Sequence, residues 1–326
     1  MKSLRRIVRA RCNNQSNTES DRIEMTTPAE LRAKFSGVVA FPITPFKADL
    51  SLDLAGLRHN LTQLMQHPVC AVVAAGGTGE LYSLTPSEHT AVVETTVEVI
   101  AGRAPVIAGV GFNQSLAVEM AQTAAQAGAD GILAFPPYYP QADTEGLLAY
   151  YEAIGKATDL GLLIYSRDWA NFSPAQVAGL ATRIPTLVAW KDGQADIRRY
   201  QMIINHVGDR LYWIGGAGDD MVPGYYSLGI RTYTSSIATV APKLSLKLHE
   251  VAAAGRGEEL NRLMSELVVP LYALRARRKG YEVSAMKTLM DMAGLRGGPV
   301  RPPLVEVRPE EREELKAILE KWQPYL

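Results

Sequence analysis

From Gly37 onward the chain repeats one unit eight times without interruption: a short apolar run, then a longer amphipathic stretch. No other feature narrows the fold as far. The apolar runs fall at residues 38–43, 69–74, 105–110, 131–135, 161–165, 186–190, 211–215 and 229–234. They are near-continuous rather than alternating, the pattern of strands buried on both faces of a parallel sheet. Helical spacing occupies 53–66, 116–127, 144–158, 195–206 and 219–228, and further helices open at Thr85, Ser173 and Pro242. At Thr85-Pro86-Ser87-Glu88 the threonine caps, the proline takes the first helical position and the glutamate completes a capping box. Eight βα units in a row predict an α/β protein, a closed (β/α)8 TIM barrel. An open doubly wound sheet rarely runs to eight repeats. It would also place a glycine-rich turn after its first strand, where this chain has Pro42-Ile43-Thr44-Pro45. From about residue 258 only helical periodicity remains, at 259–278, 283–293 and 309–322. That predicts a C-terminal helical extension, packed on the barrel or on a neighbouring subunit, within one unit spanning 25–326.

Composition excludes several partners. Lys and Arg number 34, as do Asp and Glu, so no net field draws the chain to nucleic acid or to an anionic membrane. No apolar run approaches the roughly 18–20 residues that cross a bilayer. Two cysteines, Cys12 and Cys70, make no disulfide framework, which suits a reducing, cytoplasmic setting. His59, His67, His89, His206 and His249 lack metal-ligand spacing and read as helix-surface or helix-end residues. No metal and no cofactor are expected. Residues 1–24 stand apart, with Lys2, Arg5, Arg6, Arg9 and Arg11 and no acid before Thr18. An organellar transit segment, an early start ahead of Met25 and a disordered tail all fit; the tail fits the composition best.

In a barrel of this kind the chemistry gathers where the strands end. The residues expected at that rim are Thr44, Gly76 to Glu80, Pro136-Pro137-Tyr138-Tyr139, Tyr165, Arg167, Lys191, Gly215 to Gly218 and Ser235-Ser236. Lys191 directly follows the apolar run 186–190 and precedes Asp192-Gly193. An amine held between a dry interior and a wet rim is partly desolvated, loses proton affinity and becomes a nucleophile toward a ketone. The same position also suits a lysine that closes a strand and snorkels into water. A nearby phenol can shuttle protons at the neighbouring carbon. Backbone amides of Gly76-Gly77-Thr78-Gly79-Glu80 can hold a carboxylate, although that motif alone equally suits a tight βα turn. It is no phosphate loop, because no Gly-Lys-Ser/Thr follows.

The set as a whole resembles a known family. A Gly-x-Thr-Gly-Glu turn, Pro-Tyr-Tyr after the fourth strand, Tyr165 ending the fifth and Lys191 ending the sixth are similar to the dihydrodipicolinate synthase/N-acetylneuraminate lyase family of Schiff-base barrels. The likeness runs from Gly37 to nearly the C-terminus. It implies that Lys191 forms an imine with a 2-oxo acid, that Tyr165 is the acid/base group, and that Gly77 and Thr78 bind the substrate carboxylate. It further implies a hydroxyl relay through Tyr139 and a homo-oligomer, dimer or tetramer.

Departures narrow the likeness. The synthases carry a hydroxyl residue where this chain has Gly77, and an arginine where it has Ala170. Tyr165-Ser166-Arg167-Asp168, Trp190-Lys191-Asp192-Gly193-Gln194 and Arg278-Lys279-Gly280-Tyr281 instead resemble the 5-dehydro-4-deoxyglucarate dehydratase branch. That branch implies a lyase of sugar diacid (glucarate, galactarate) catabolism, forming 2,5-dioxopentanoate with loss of water and carbon dioxide. Arg167 then either attracts the second carboxylate or is a surface arginine paired with Asp168. Gly215 is expected to touch substrate, and Ser235 or Ser236 to protonate the leaving hydroxyl. The alternatives are a pyruvate-dependent aldolase or synthase of the same family, and a non-catalytic barrel.

Overall fold

Eight parallel strands hydrogen-bond in chain order, and the eighth closes on the first. They are β1 (Gly37–Ala40), β2 (Ala71–Ala74), β3 (Val106–Phe112), β4 (Gly131–Pro137), β5 (Gly161–Ser166), β6 (Leu187–Asp192), β7 (Tyr212–Gly215) and β8 (Thr232–Ser235). This computed structural model describes residues 26–138 and 141–326. The proposed tail and Tyr139 therefore lie outside the described residues. Side chains alternate across each strand. Val39, Val73, Ile107, Leu133, Leu163, Ala189 and Ile214 fill the barrel, while Val38, Val72, Ala108, Ile132, Ile164 and Trp190 face the helices. Two residues beyond Leu163 and Ala189 come Tyr165 and Lys191, one layer higher toward the rim.

The outer layer is α2 (Leu54–Leu64), α3 (Pro86–Ile100), α4 (Gln114–Gln126), α5 (Thr144–Gly155), α6 (Pro174–Arg183), α7 (Ile197–Val207), α8 (Val222–Ser227) and α9 (Pro242–Ala253), preceded by α1 (Pro28–Lys34). The capping box predicted at Thr85 with Glu88 forms; others form at Ser173 with Gln176, where the sequence predicts only a helix start, and at Thr27 with Glu30. Helix α1 has no counterpart in the sequence reading, because seven residues are too few to show a period. It stoppers the N-terminal end of the barrel. Its Leu31 is fully buried, and a Cβ added at Gly131 or Gly161 would meet Leu31 at 2.5 or 2.7 Å. Glycine at those two positions makes room for the stopper.

Strand ends differ from expectation for local reasons. β6 runs on to Asp192 because Lys191 pairs with Tyr165 on one side and Ile214 on the other. β8 starts at Thr232 rather than 229. Gly229, at φ +84°, ends the turn after α8, and its amide donates to Tyr226 O at 3.1 Å. His89 is buried rather than on a helix surface, its Nε2 lying 2.8 Å from Gly109 O.

The C-terminal helices are α10 (Gly257–Leu263), running through one π turn into α11 (Val269–Arg275), then α12 (Tyr281–Met292) and α13 (Pro309–Trp322). They pack on their own barrel, tied to the β2 rim by charge. Lys287 meets Glu80 at 2.5 Å with both side chains buried, and Arg301 forks onto Glu88 at 2.6 and 2.8 Å. Among the described residues no helix is long and apolar enough to cross a membrane.

Candidate active site

Lys191 and Tyr165 are register partners on neighbouring strands, so their side chains rise side by side from the inner face. They meet at the floor of a cavity of about 840 Å³ at the C-terminal rim. The amine of Lys191 lies 3.3 Å from the centroid of the Tyr165 ring and donates to Gly216 O at 2.8 Å. Only 3% of Lys191 is exposed. The carbonyl and the ring face both favour an ammonium. Loss of hydration opposes them and wins: burial first, then the Arg167 guanidinium, holds the amine well below the usual lysine range, with Asp192 pulling the other way. The strand-closing, water-seeking reading of Lys191 does not match this placement.

Arg167 makes the Asp168 pair that one of its two sequence readings names, and a contact with Tyr165 that neither foresaw. Its Nη1 donates to Tyr165 Oη at 3.2 Å and its Nε to Asp168 at 3.2 Å. Burial raises the Tyr165 phenol, and the neighbouring guanidinium opposes that rise, so a phenolate forming there meets a positive charge. Asp192, also buried, accepts from the Tyr225 hydroxyl at 3.0 Å, and Tyr225 in turn accepts from Ala217 N at 3.0 Å. This clamp fixes the loop whose Gly216 carbonyl receives the lysine.

Gly77 and Thr78 line the opposite wall, and among the described residues neither amide donates to a protein acceptor. The turn is held from below by Thr44, whose hydroxyl donates to Gly79 O at 2.7 Å. Glu80 closes the turn at φ +55° and spends its carboxylate on Lys287, away from the cavity. The pair of open amides is a ready carboxylate seat.

On the β7–β8 side a fully buried carboxyl, Asp219, went unread in the sequence. It accepts from the Ser235 hydroxyl and, at 3.0 Å, from Tyr272 Oη. Burial pushes it up to about 6, the two hydroxyls opposing. Ser235 and Ser236 both reach the cavity wall, and Arg275 Nη1 donates to Ser236 Oγ at 3.1 Å. Gly215 does not line the cavity; a Cβ there would meet the Tyr225 ring at 2.2 Å, and Gly216 faces the site instead. Tyr272 and Arg275, three apart and so on one face of α11, had a legible spacing. Nothing in the linear sequence tells which wall that face meets.

Residues 34–322 match the Dihydrodipicolinate synthetase family. A protein of Methylobacterium radiotolerans named probable 5-dehydro-4-deoxyglucarate dehydratase is 42% identical over 296 residues, 90% of this chain and 97% of that one. Another of that name, from Bradyrhizobium diazoefficiens, is 39% identical over 298 residues, 90% and 95% of the two chains. Among solved structures, dihydrodipicolinate synthase from Oceanobacillus iheyensis superposes with a TM-score of 0.86 at 31% identity, covering 91% of this chain and 99% of that one.

Proposed function

Since the chain belongs to the dihydrodipicolinate synthetase family, we propose that it is a decarboxylating hydro-lyase that turns 5-dehydro-4-deoxyglucarate into 2,5-dioxopentanoate. The observation that carries the reading is the buried amine of Lys191, its proton affinity lowered by burial and by Arg167, set against Tyr165.

The amine attacks the ketone, water leaves, and an iminium forms. Tyr165 gives its proton to that departing water, and the phenolate left behind, stabilised by Arg167, takes a proton from the adjacent methylene, now acidic. The enamine expels the β-hydroxyl as water, the added proton coming through Ser235, which Asp219 holds in place. The conjugated iminium then draws in the electrons of the far carbon–carboxylate bond, releasing carbon dioxide. Reprotonation and hydrolysis free the semialdehyde and regenerate the amine. Gly77 and Thr78 seat the carboxylate beside the ketone through their open amides. An aldolase would use the same iminium to break the carbon–carbon bond beyond the methylene, leaving a pyruvate enamine, so the product decides between the two. Incubation with the diacid should yield 2,5-dioxopentanoate and carbon dioxide, and borohydride should trap the substrate on Lys191. Pyruvate as the main product overturns the reading, and loss of trapping must follow from Lys191→Ala.

The protein acts in this proposal as a cytoplasmic homo-oligomer. The exposed aromatics Tyr82 and Tyr138 beside the cavity, 46% and 74% accessible, suit a subunit contact there, checked by sedimentation.

A further inference from the structure

We infer that Arg275, braced by Ser236, receives the far carboxylate of the substrate and is the residue that selects a diacid over an acid with a neutral end. The inference rests on the reaction proposed above and names the group that recognises its substrate.

Among the described residues, five cations besides Lys191 line the cavity: Arg167, Arg275, Arg277, Arg278 and Lys279. Most are committed or outlying. Arg167 is spent on Tyr165 and Asp168. Arg277 forks onto Glu314 with two bonds of 2.8 Å. Arg278 lies 5.6 Å from the Tyr281 ring, and Lys279 is exposed. Arg275 and Arg278 are both half-buried, but only Arg275 is anchored at the cavity wall: it lies over the Tyr272 ring at 4.6 Å and gives one proton to Ser236 at 3.1 Å. Among the described residues it forms no ion pair. The nearby carboxyl of Asp219 feels its charge but is occupied by the hydroxyls of Ser235 and Tyr272.

A guanidinium lying over a ring, bonded at one nitrogen and lining a cavity, with Asp220 near enough to feel its charge, is suited to a carboxylate, which it binds with two parallel bonds. Its place on the molecule fits the substrate. The near carboxylate has its seat at the β2 turn and the ketone its amine on β6, while Ser236 and Arg275 stand at the end of β8. A chain running outward from the imine carbon past Gly216 and Ser235 reaches that third wall. Because the same carboxylate later departs as carbon dioxide, the fork acts on the bound substrate rather than on the final transition state. Its removal should therefore appear in KM, with kcat not falling.

The test compares wild type, Arg275→Met, Arg275→Lys and Ser236→Ala on two substrates: 5-dehydro-4-deoxyglucarate, and the six-carbon 2-oxo-3-deoxy acid that ends in a hydroxymethyl group. Trapping of pyruvate on Lys191 by borohydride serves as the check that each variant is folded with its amine in place. Arg275→Met should raise KM for the diacid about 10- to 100-fold, the loss expected for bonds to a charged group. Its preference for diacid over the neutral-ended acid should collapse. Arg275→Lys should recover part of the loss, and Ser236→Ala should show a smaller rise. A diacid KM unchanged in Arg275→Met that still traps pyruvate overturns the inference, as does an equal rise for both substrates. Wild-type product reports separately on the reaction: pyruvate in place of semialdehyde rejects the dehydratase, while the Arg275 comparison is still read from disappearance of the diacid.

Discussion

A lysine becomes a nucleophile here because hydration is withheld from it, and the withholding is shared between neighbours. Burial is the larger cause and Arg167 the second. Removing that positive neighbour in Arg167→Met lets the ammonium persist to higher pH. The acidic limb of imine formation with pyruvate should then move upward in pH, measured as trapping rate against pH; an unmoved limb would show that burial acts alone. Tyr165→Phe should still trap substrate but eliminate water about 10²- to 10⁴-fold more slowly, the usual contribution of a placed acid/base group. Equal loss of trapping and turnover would assign Tyr165 to the fold instead. Lys191 and Tyr165 were legible in the sequence because each sits at the end of a buried apolar run. Asp219 was not, since Gly215-Gly216-Ala217-Gly218-Asp219 reads as a turn. Its partners Ser235 and Tyr272 lie 16 and 53 positions on, and only the closed barrel brings them together.

At the scale of elements, local chemistry was decisive where it was strong. Near-continuous apolar runs declared a two-face-buried sheet, and Thr85-Pro86 and Ser173-Pro174 placed the starts of α3 and α6 to the residue. Where an element's role depends on what it lies against, the sequence was silent: α1 opens on the same Thr-Pro capping box, but nothing in it tells that it closes the barrel floor. The Gly-Thr-Gly-Glu turn shows the same limit, because its glutamate serves α12 rather than substrate. Burial shifts both members of the Glu80–Lys287 pair toward neutrality, and each resists the shift in the other. Lys287→Met strands a buried carboxylate and should cost about 3–5 kcal/mol. Adding Glu80→Gln, which keeps an acceptor for the Arg301 amide, should restore most of that. Guanidinium melts of the single and double variants measure both; an additive double variant would deny the coupling.

Among the described residues, the barrel is stopped at one end and open at the other. Helix α1 seals the far end with Leu31 and Phe35, and the C-terminal helices bring Tyr272 and Arg275 over the near one. The sequence declared the cylinder but neither of its ends, because both closures are made by segments outside the eightfold repeat. If the proposed reaction holds, one reactant enters and water, carbon dioxide and a semialdehyde must all leave by the passage it came through. A departing product then blocks the next arrival. The semialdehyde should inhibit in direct competition with the diacid, its effect vanishing at saturating substrate in initial-rate plots. Noncompetitive inhibition would overturn this expectation, since it would mean that the semialdehyde leaves before another product does.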